Sequence, residues 1–195
     1  MHRVAVLALE RVMPFECSIP HRILGAALSA DGQPLYDVAT CSVDGRPVKT
    51  NADFSIAVQH GPELLRRADT IVIPPFGSPE VPLSPELCDR VTTLLDGARA
   101  DSRLVSLCGA AYLLAAVGRL DDLRATTHWS VAESFRQAFP RVSLDAGALF
   151  VDEGRVVTAA GAAAGIDCCL HLVRADHGAD VANRVARFCV VPPHR

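Results

Sequence analysis

The sequence lacks an apolar run long enough to cross a membrane. Its apolar stretch nearest the amino terminus covers residues 4–9, whereas a membrane-spanning helix needs roughly 18 to 20 apolar residues. Arg3 precedes this stretch, but so short a stretch does not make the hydrophobic region of a secretory signal peptide. We therefore expect a cytoplasmic protein without a membrane partner.

The sequence also lacks a basic excess. It has 19 Lys and Arg against 22 Asp and Glu, for a net charge of −3, and Lys49 is its one lysine. Domains that bind nucleic acid directly usually have a positive net charge, so direct DNA binding by this chain is not expected. The hydrophobic content of 50% excludes a disordered chain, and 195 residues suit one domain with a substantial core.

No CxxC pair occurs among the seven cysteines, whose spacing is irregular. This excludes a zinc ribbon and a thioredoxin-type redox motif. The histidines show no metal-ligand spacing, and the glycines at 161 and 165 lack the lysine of a phosphate-binding loop. The sequence therefore predicts free thiols, most of them buried, and neither a metal nor a cofactor.

Short apolar segments alternate with helical patterns along almost the whole chain. Strands are predicted over residues 3–9, 36–42, 54–58, 70–73, 104–107, 141–144, 149–152 and 156–159. Helices are predicted over residues 18–30, 63–67, 84–100, 108–118, 130–138, 166–177 and 179–188. This pattern is typical of a doubly wound, three-layer α/β/α sandwich with a mostly parallel, flavodoxin-like sheet.

The turn at Cys108 is the sharpest functional signal. A buried strand ends there, and small residues beginning with Gly109 then open a helix. A nucleophile elbow needs this layout, because the tight turn projects the side chain above the sheet. The helix N-terminus is expected to lower the thiol pKa, and the Gly109 N–H is a candidate oxyanion donor. A small buried core residue is the alternative interpretation of Cys108.

Several segments, in order, resemble the ThiJ/PfpI superfamily, which has the type 1 glutamine amidotransferase-like fold. The similar segments are Glu16-Cys-Ser-Ile-Pro20, Ser106-Leu-Cys-Gly-Ala110, Leu120-Asp-Asp-Leu-Arg-Ala-Thr-Thr-His-Trp129, Ala160-Gly-Ala-Ala-Ala-Gly-Ile-Asp167 and Pro192-Pro-His-Arg195. They resemble the branch that forms the N-terminal, ligand-sensing domain of AraC-type transcription regulators, with isonitrile hydratases as close relatives. The resemblance covers nearly the whole chain.

The resemblance implies a site built around Cys108 and Glu16. Glu16 corresponds to the acidic residue that approaches the elbow thiol in this superfamily. A protonated carboxyl there donates to a thiolate, whereas an ionised one raises the thiol pKa or acts as a base. A solvated loop glutamate is the alternative.

His128 and Trp129 are further candidate ligand contacts. His128 either lines the pocket or forms a hydrogen bond within the core, and neither catalytic triad of the superfamily is complete here. Trp129 is a candidate wall of the pocket or of a dimer seam, although core packing is the commoner role.

The strand end at Pro74-Pro75-Phe76-Gly77 departs from the family pattern, in which a glycine N–H supplies the second oxyanion donor. Pro75 has no N–H. Gly77 replaces that donor only if the loop is shifted; otherwise the oxyanion hole is half-built.

The resemblance implies an effector-sensing, dimerising domain that binds a small molecule near Cys108. A helix-turn-helix domain is expected to follow Arg195 and to make the DNA contact. The alternative is a cysteine-dependent enzyme similar to an isonitrile hydratase or a related hydrolase, in which Cys108 attacks the substrate and Glu16 handles protons.

Overall fold

The computed structural model describes residues 1–77 and 83–192. Two features of the sequence fall partly outside these ranges: the end of the proline-rich loop after Gly77, and Pro193–Arg195 of the closing motif.

Strands and helices alternate as the sequence predicts. The strands are β1 (His2–Ala8), β2 (Tyr36–Ser42), β3 (Val48–Lys49), β4 (Ser55–Ile56), β5 (Thr70–Ile73), β6 (Arg103–Leu107), β7 (Arg124–Ala125), β8 (Ser143–Leu144), β9 (Phe150–Asp152) and β10 (Val156–Ala159). The α-helices are α1 (Pro14–Ile23), α2 (Pro85–Asp96), α3 (Ala111–Ala116), α4 (Ala132–Ala138), α5 (Ala163–His177) and α6 (Ala179–Cys189). Short 3₁₀ turns cover Leu24–Ala26, Pro62–Arg67, Cys108–Ala110 and Trp129–Val131.

The central sheet has the strand order β2-β1-β5-β6-β10-β9. The first five of these strands are parallel, and β9 pairs antiparallel with β10 at one edge. In chain order the five parallel strands run 2-1-3-4-5, which is the flavodoxin-like order, so the expected fold class is confirmed. The short pairs β3-β4 and β7-β8 lie outside this sheet.

Both faces of the sheet are covered by helices, which explains the continuous apolar strands. In β1, Val4 and Val6 contribute to a buried cluster with side chains of α1, α5 and α6. Ala5 and Leu7 contribute to a second cluster with side chains of α2, α3 and α4. Successive residues of a strand point to opposite faces, so a strand between two helical layers must be apolar throughout.

Helix α1 begins earlier than predicted. It starts at Pro14 rather than at residue 18, and Pro20 lies in its interior instead of its first turn. Pro14 occupies the first helical position, where the missing N–H costs nothing, so it is the true start signal. The helix also ends early, at Ile23, before the 3₁₀ turn. The earlier start places Glu16 in the first turn of a helix rather than in a loop.

Helix α2 has the start that the sequence indicates. The Ser84 side chain accepts a hydrogen bond from the Leu87 N–H, and Pro85 follows at the first helical position.

Within residues 1–77 and 83–192, no helix combines the length and apolarity needed to cross a bilayer.

Candidate functional site

Cys108 lies at a strained elbow between β6 and α3. Its φ is +56°, in the left-handed region, and the 3₁₀ turn Cys108–Ala110 follows at once. A non-glycine residue held there costs about 1–3 kcal/mol, and such strain clusters at functional sites. The predicted elbow is therefore confirmed as a backbone geometry, and the thiol is half-buried at the carboxyl end of the sheet.

Gly161, just after β10, packs directly against the elbow. A Cβ on Gly161 would lie 2.3 Å from the Cys108 Cβ and 2.6 Å from its Sγ. Gly161 also has φ +97°, and Ala162 beside it has φ +46°. Only glycine meets both demands, because it has no Cβ and adopts positive φ without steric cost. The sequence alone did not indicate that this glycine packs against the candidate nucleophile.

Glu16 reaches the site from the first turn of α1. The residue is buried, with 8% of its surface exposed. Its negative charge raises the pKa of the Cys108 thiol, so the two groups are close enough to interact. The solvated-loop interpretation of Glu16 does not fit this burial.

The Cys108 thiol is not activated as expected. Burial raises its pKa to about 11, and the Glu16 charge adds to the increase. The Gly109 N–H donates to the sulfur and lowers the pKa, but its effect is smaller than that of burial. The helix that follows has only the six residues Ala111–Ala116, so it contributes little dipole. The predicted lowering of the thiol pKa is therefore wrong, because desolvation outweighs the favourable N–H.

The second oxyanion donor is not available. Gly77 has φ +64°, and its N–H donates to the Arg11 carbonyl with an N–O distance of 3.1 Å. The loop is held further by the Met13 N–H, which donates to the Pro75 carbonyl at 2.9 Å. The Gly77 N–H is thus occupied, and Gly109 is the one predicted oxyanion donor that acts on the thiol. A ligand contact through the open face of Gly77 stays a prediction.

Two threonines lie in the segment before the Trp129–Val131 turn, and one of them, Thr127, braces the elbow. The Thr127 hydroxyl donates to the Cys108 carbonyl at 3.2 Å. The Thr126 N–H donates to the Thr158 side chain in β10 at 2.8 Å. Both threonines are fully buried. The family motif includes them, yet nothing in the sequence assigned them a role.

The His128 side chain caps the start of the Trp129–Val131 turn and makes its hydrogen bonds to Ser130. Its Nδ1 lies 2.7 Å from the Ser130 Oγ and accepts the Ser130 N–H at 3.3 Å. Trp129 is 76% exposed and has its ring 5.5 Å from the His128 ring. Core packing is therefore the wrong interpretation of Trp129. Its role as a pocket or dimer wall stays a prediction, as does a ligand contact by His128.

The elbow thus gathers a half-buried thiol, the buried carboxyl of Glu16 and the N–H of Gly109, whereas the His128 ring bonds Ser130. No cluster of three or more potential metal ligands occurs within the described residues. The cysteines of α5, Cys168 and Cys169, are fully buried as predicted, and all seven cysteines are free.

Comparison with known proteins gives this geometry a context. The model of the DJ-1/PfpI family matches residues 2–175. The HTH-type transcriptional regulator GbdR of Pseudomonas aeruginosa is 28% identical over 167 residues, which cover 86% of this chain and 44% of the regulator. The HTH-type transcriptional regulator CdhR of the same species is 30% identical over 160 residues, covering 80% of this chain and 46% of that protein. This chain therefore spans less than half the length of these relatives.

Solved structures agree on the fold. An AraC family transcriptional regulator from Pseudomonas putida superposes with a TM-score of 0.81 at 23% identity, covering 97% of this chain and 100% of the other. DJ-1beta of Drosophila melanogaster superposes with a TM-score of 0.77 at 18% identity, covering 98% of each chain. At these identities the likeness establishes the fold alone.

Proposed function

Because the chain belongs to the DJ-1/PfpI family, we propose that it is the effector-sensing domain of an AraC-type transcription regulator. The observation that carries this proposal is the alignment with GbdR and CdhR: relatives named as HTH-type regulators match most of this chain with less than half of their own length. The rest of such a protein has room for a DNA-binding module, which we propose follows Arg195. The acidic balance of this chain supports that division, since DNA contact then needs no basic surface here.

The proposed effector is a small molecule that binds at the carboxyl edge of the sheet beside Cys108. Ligands of open α/β sheets bind beyond the carboxyl ends of the strands, and the buried Glu16 and the Cys108 thiol lie there. The effector acts by population shift: it favours one arrangement of a homodimer, and the attached DNA-binding modules then match one operator spacing. Cytoplasmic location and homodimer formation are parts of this proposal.

The gene provides the first test. We expect the reading frame to continue past Arg195 and to encode helix-turn-helix patterns. A stop codon directly after Arg195 would contradict the regulator proposal. Sedimentation of the purified domain tests dimer formation separately, and a monomer at micromolar concentration would remove the dimer from the mechanism.

Effector binding is tested by a thermal-shift screen of small metabolites against the wild type and the Cys108→Ala and Glu16→Gln variants. A true effector raises the melting temperature of the wild type by mass action and stabilises at least one variant less. A compound that stabilises all three proteins equally binds elsewhere.

A cysteine-dependent enzyme is the second candidate, favoured by the strained elbow at Cys108 and the carboxyl of Glu16 beside it. In that mechanism a Cys108 thiolate adds to the carbon of an isonitrile, and Glu16 supplies the proton that completes an enzyme-bound thioimidate. Water then adds to the same carbon and the Cys108 sulfur leaves as a thiolate, so that the product is an N-substituted formamide. The raised thiol pKa and the occupied Gly77 N–H weigh against it. Isonitrile hydration by the wild type but not by Cys108→Ala would support the enzyme; no turnover by either protein counts against it.

A further inference from the structure

The carbonyl group of Cys108 is held by two donors. Thr127 donates its hydroxyl to this oxygen at 3.2 Å, and the Ala111 N–H donates to it from the following turn. A carbonyl oxygen has two lone pairs, so these donors satisfy it. One donor is part of the elbow itself, whereas Thr127 lies 19 residues away in the chain and is fully buried.

The same peptide unit carries the Gly109 N–H. Because a peptide bond is planar, fixing the Cys108 carbonyl also fixes the direction of the Gly109 N–H. That N–H donates to the Cys108 sulfur and stabilises its charged form. The Thr127 hydroxyl and the Cys108 sulfur are therefore hydrogen-bonded to opposite edges of one planar peptide unit.

We propose that Thr127 is a positioning residue of the Cys108 site, whose hydroxyl orients the Cys108–Gly109 peptide so that the Gly109 N–H faces the thiol. Without the hydroxyl, the carbonyl keeps one acceptor bond and the peptide turns more freely about its flanking single bonds. The N–H then spends less time on the sulfur, and a thiolate or an oxyanion formed there loses stabilisation.

Thr126 offers a matched control. Like Thr127 it is fully buried, and its hydroxyl also donates to a backbone carbonyl, that of Ala148, at 3.1 Å. That carbonyl belongs to the segment before β9 and not to the elbow. Thr127→Val and Thr126→Val each remove one buried hydroxyl with little change of volume, so they differ chiefly in which carbonyl loses its donor.

The experiment measures the rate at which iodoacetamide alkylates Cys108 as a function of pH, read on the Cys108 peptide by mass spectrometry. Thr127→Val is expected to slow alkylation on the order of 3- to 10-fold at moderately alkaline pH and to move the midpoint of the profile upward. Thr127→Ser keeps the hydroxyl and is expected to retain the wild-type profile. Thr126→Val is expected to lower stability without moving the profile.

Three outcomes would overturn the inference: an unchanged profile in Thr127→Val, a shift of the same size in Thr126→Val, or no rescue by Thr127→Ser. If Thr127→Val does not fold, Thr127→Ala and Thr127→Ser provide the same comparison, since both lack the methyl group and differ by one oxygen.

The inference deepens the proposed function because it concerns the proposed effector site. Its readout is thiol chemistry, so it stands or fails independently of any effector and of the DNA-binding module.

Discussion

The two edges of the parallel sheet are built in opposite ways. At the carboxyl edge, three non-glycine residues with positive φ lie in the loops after β1, β6 and β10: Arg11, Cys108 and Ala162. At the amino edge, the described loops before β1, β5, β6 and β10 hold no such residue. Backbone strain in the central sheet is therefore concentrated on the side that carries the thiol.

The amino edge is closed by paired charges instead. Arg103 in β6 forms a bidentate pair with Asp176 in α5, with N–O distances of 2.6 and 3.0 Å. The Tyr36 hydroxyl donates to the same carboxylate at 2.7 Å. A cavity of about 390 Å³ opens beside this network, but its lining mixes both signs, since Arg99 there pairs with Asp69 and Asp101.

Paired charges at the amino edge stabilise the fold, whereas the carboxyl edge holds the thiol on a strained backbone. Satisfied ion pairs lock the last turn of α5 onto the sheet at the amino edge. At the carboxyl edge, the Gly109 N–H donates to the Cys108 sulfur, and the charge of Glu16 acts on the same thiol.

The largest effect is expected from Gly161→Ala at the carboxyl edge. The new Cβ would meet the Cys108 Cβ at 2.3 Å, and alanine is strained at φ +97°. We expect a loss of about 2–5 kcal/mol in the free energy of unfolding, measured by urea denaturation.

Gly25→Ala is the control for this variant. A Cβ at Gly25 meets no atom within 4 Å, and its φ lies outside the positive region. We expect it to leave stability nearly unchanged. If both alanine variants unfold at the same urea concentration, the elbow tolerates a side chain behind it, and the described contact is not a constraint.

Asp176→Asn tests the amino edge. It keeps the shape of the side chain but leaves the half-buried Arg103 guanidinium without its counter-charge. We expect the free energy of unfolding to fall by about 1–3 kcal/mol, less than for a fully buried pair. The control is Asp101→Asn, which neutralises an exposed partner of Arg99 and is expected to leave the free energy of unfolding nearly unchanged.

The pH dependence of that variant sharpens the test. Burial acts to raise the pKa of Asp176, but the hydrogen bonds from Arg103 and Tyr36 outweigh it and hold the pKa below its usual value of 3.8. Since the folded-state pKa is depressed, this stabilisation is present above about pH 4 and is lost as the pH falls through the lower folded value. Asp176→Asn is expected to remove this part of the acid dependence; identical acid unfolding curves would contradict the assignment.

Glu16→Gln tests the electrostatics of the carboxyl edge. Removing the negative charge takes away one cause of the raised pKa of Cys108. We expect the midpoint of Cys108 alkylation to move to lower pH while remaining above that of a free cysteine, about 8.5, because burial persists. A midpoint at or below the free value in the wild type would restore the activated-thiol hypothesis.

The smallest effect is expected from Trp129→Ala. The side chain is 76% exposed, so its removal is expected to change the free energy of unfolding by less than about 0.5 kcal/mol. Because Trp129 is the one tryptophan, its fluorescence also reports on this surface. A large loss of stability would show that the indole packs against the protein in solution.

Much of this fold was predictable from local pattern. The strands β2, β5 and β10 have the predicted ends, because each is a short segment of strand-favouring residues bounded by turn residues. The position of the elbow was predictable as well, since a buried strand followed by Cys-Gly-Ala-Ala indicates a tight strand-to-helix turn, with a small core cysteine as the alternative. Helix α1 was misplaced because two prolines compete as start signals and their spacing alone does not rank them.

The chemistry of the site was less predictable, because it depends on contacts between distant segments. The Cys108 pKa is set mainly by burial of the sulfur, against which Gly161 packs, and by the charge of Glu16 from α1. The Gly77 N–H is occupied because the loop after β1 reaches it, and Thr127 reaches the elbow only because β7 leads its segment there.

Local sequence sets the alternation of strands and helices, the three-layer sandwich and the place of the elbow, since periodicity and turn chemistry act within a few residues. The state of the site depends on the tertiary structure: burial raises the pKa of the Cys108 thiol, the Gly77 N–H is bonded to the Arg11 carbonyl, and Trp129 lies on the surface. Desolvation and hydrogen-bond pairing depend on which distant atoms meet, and no local pattern encodes that.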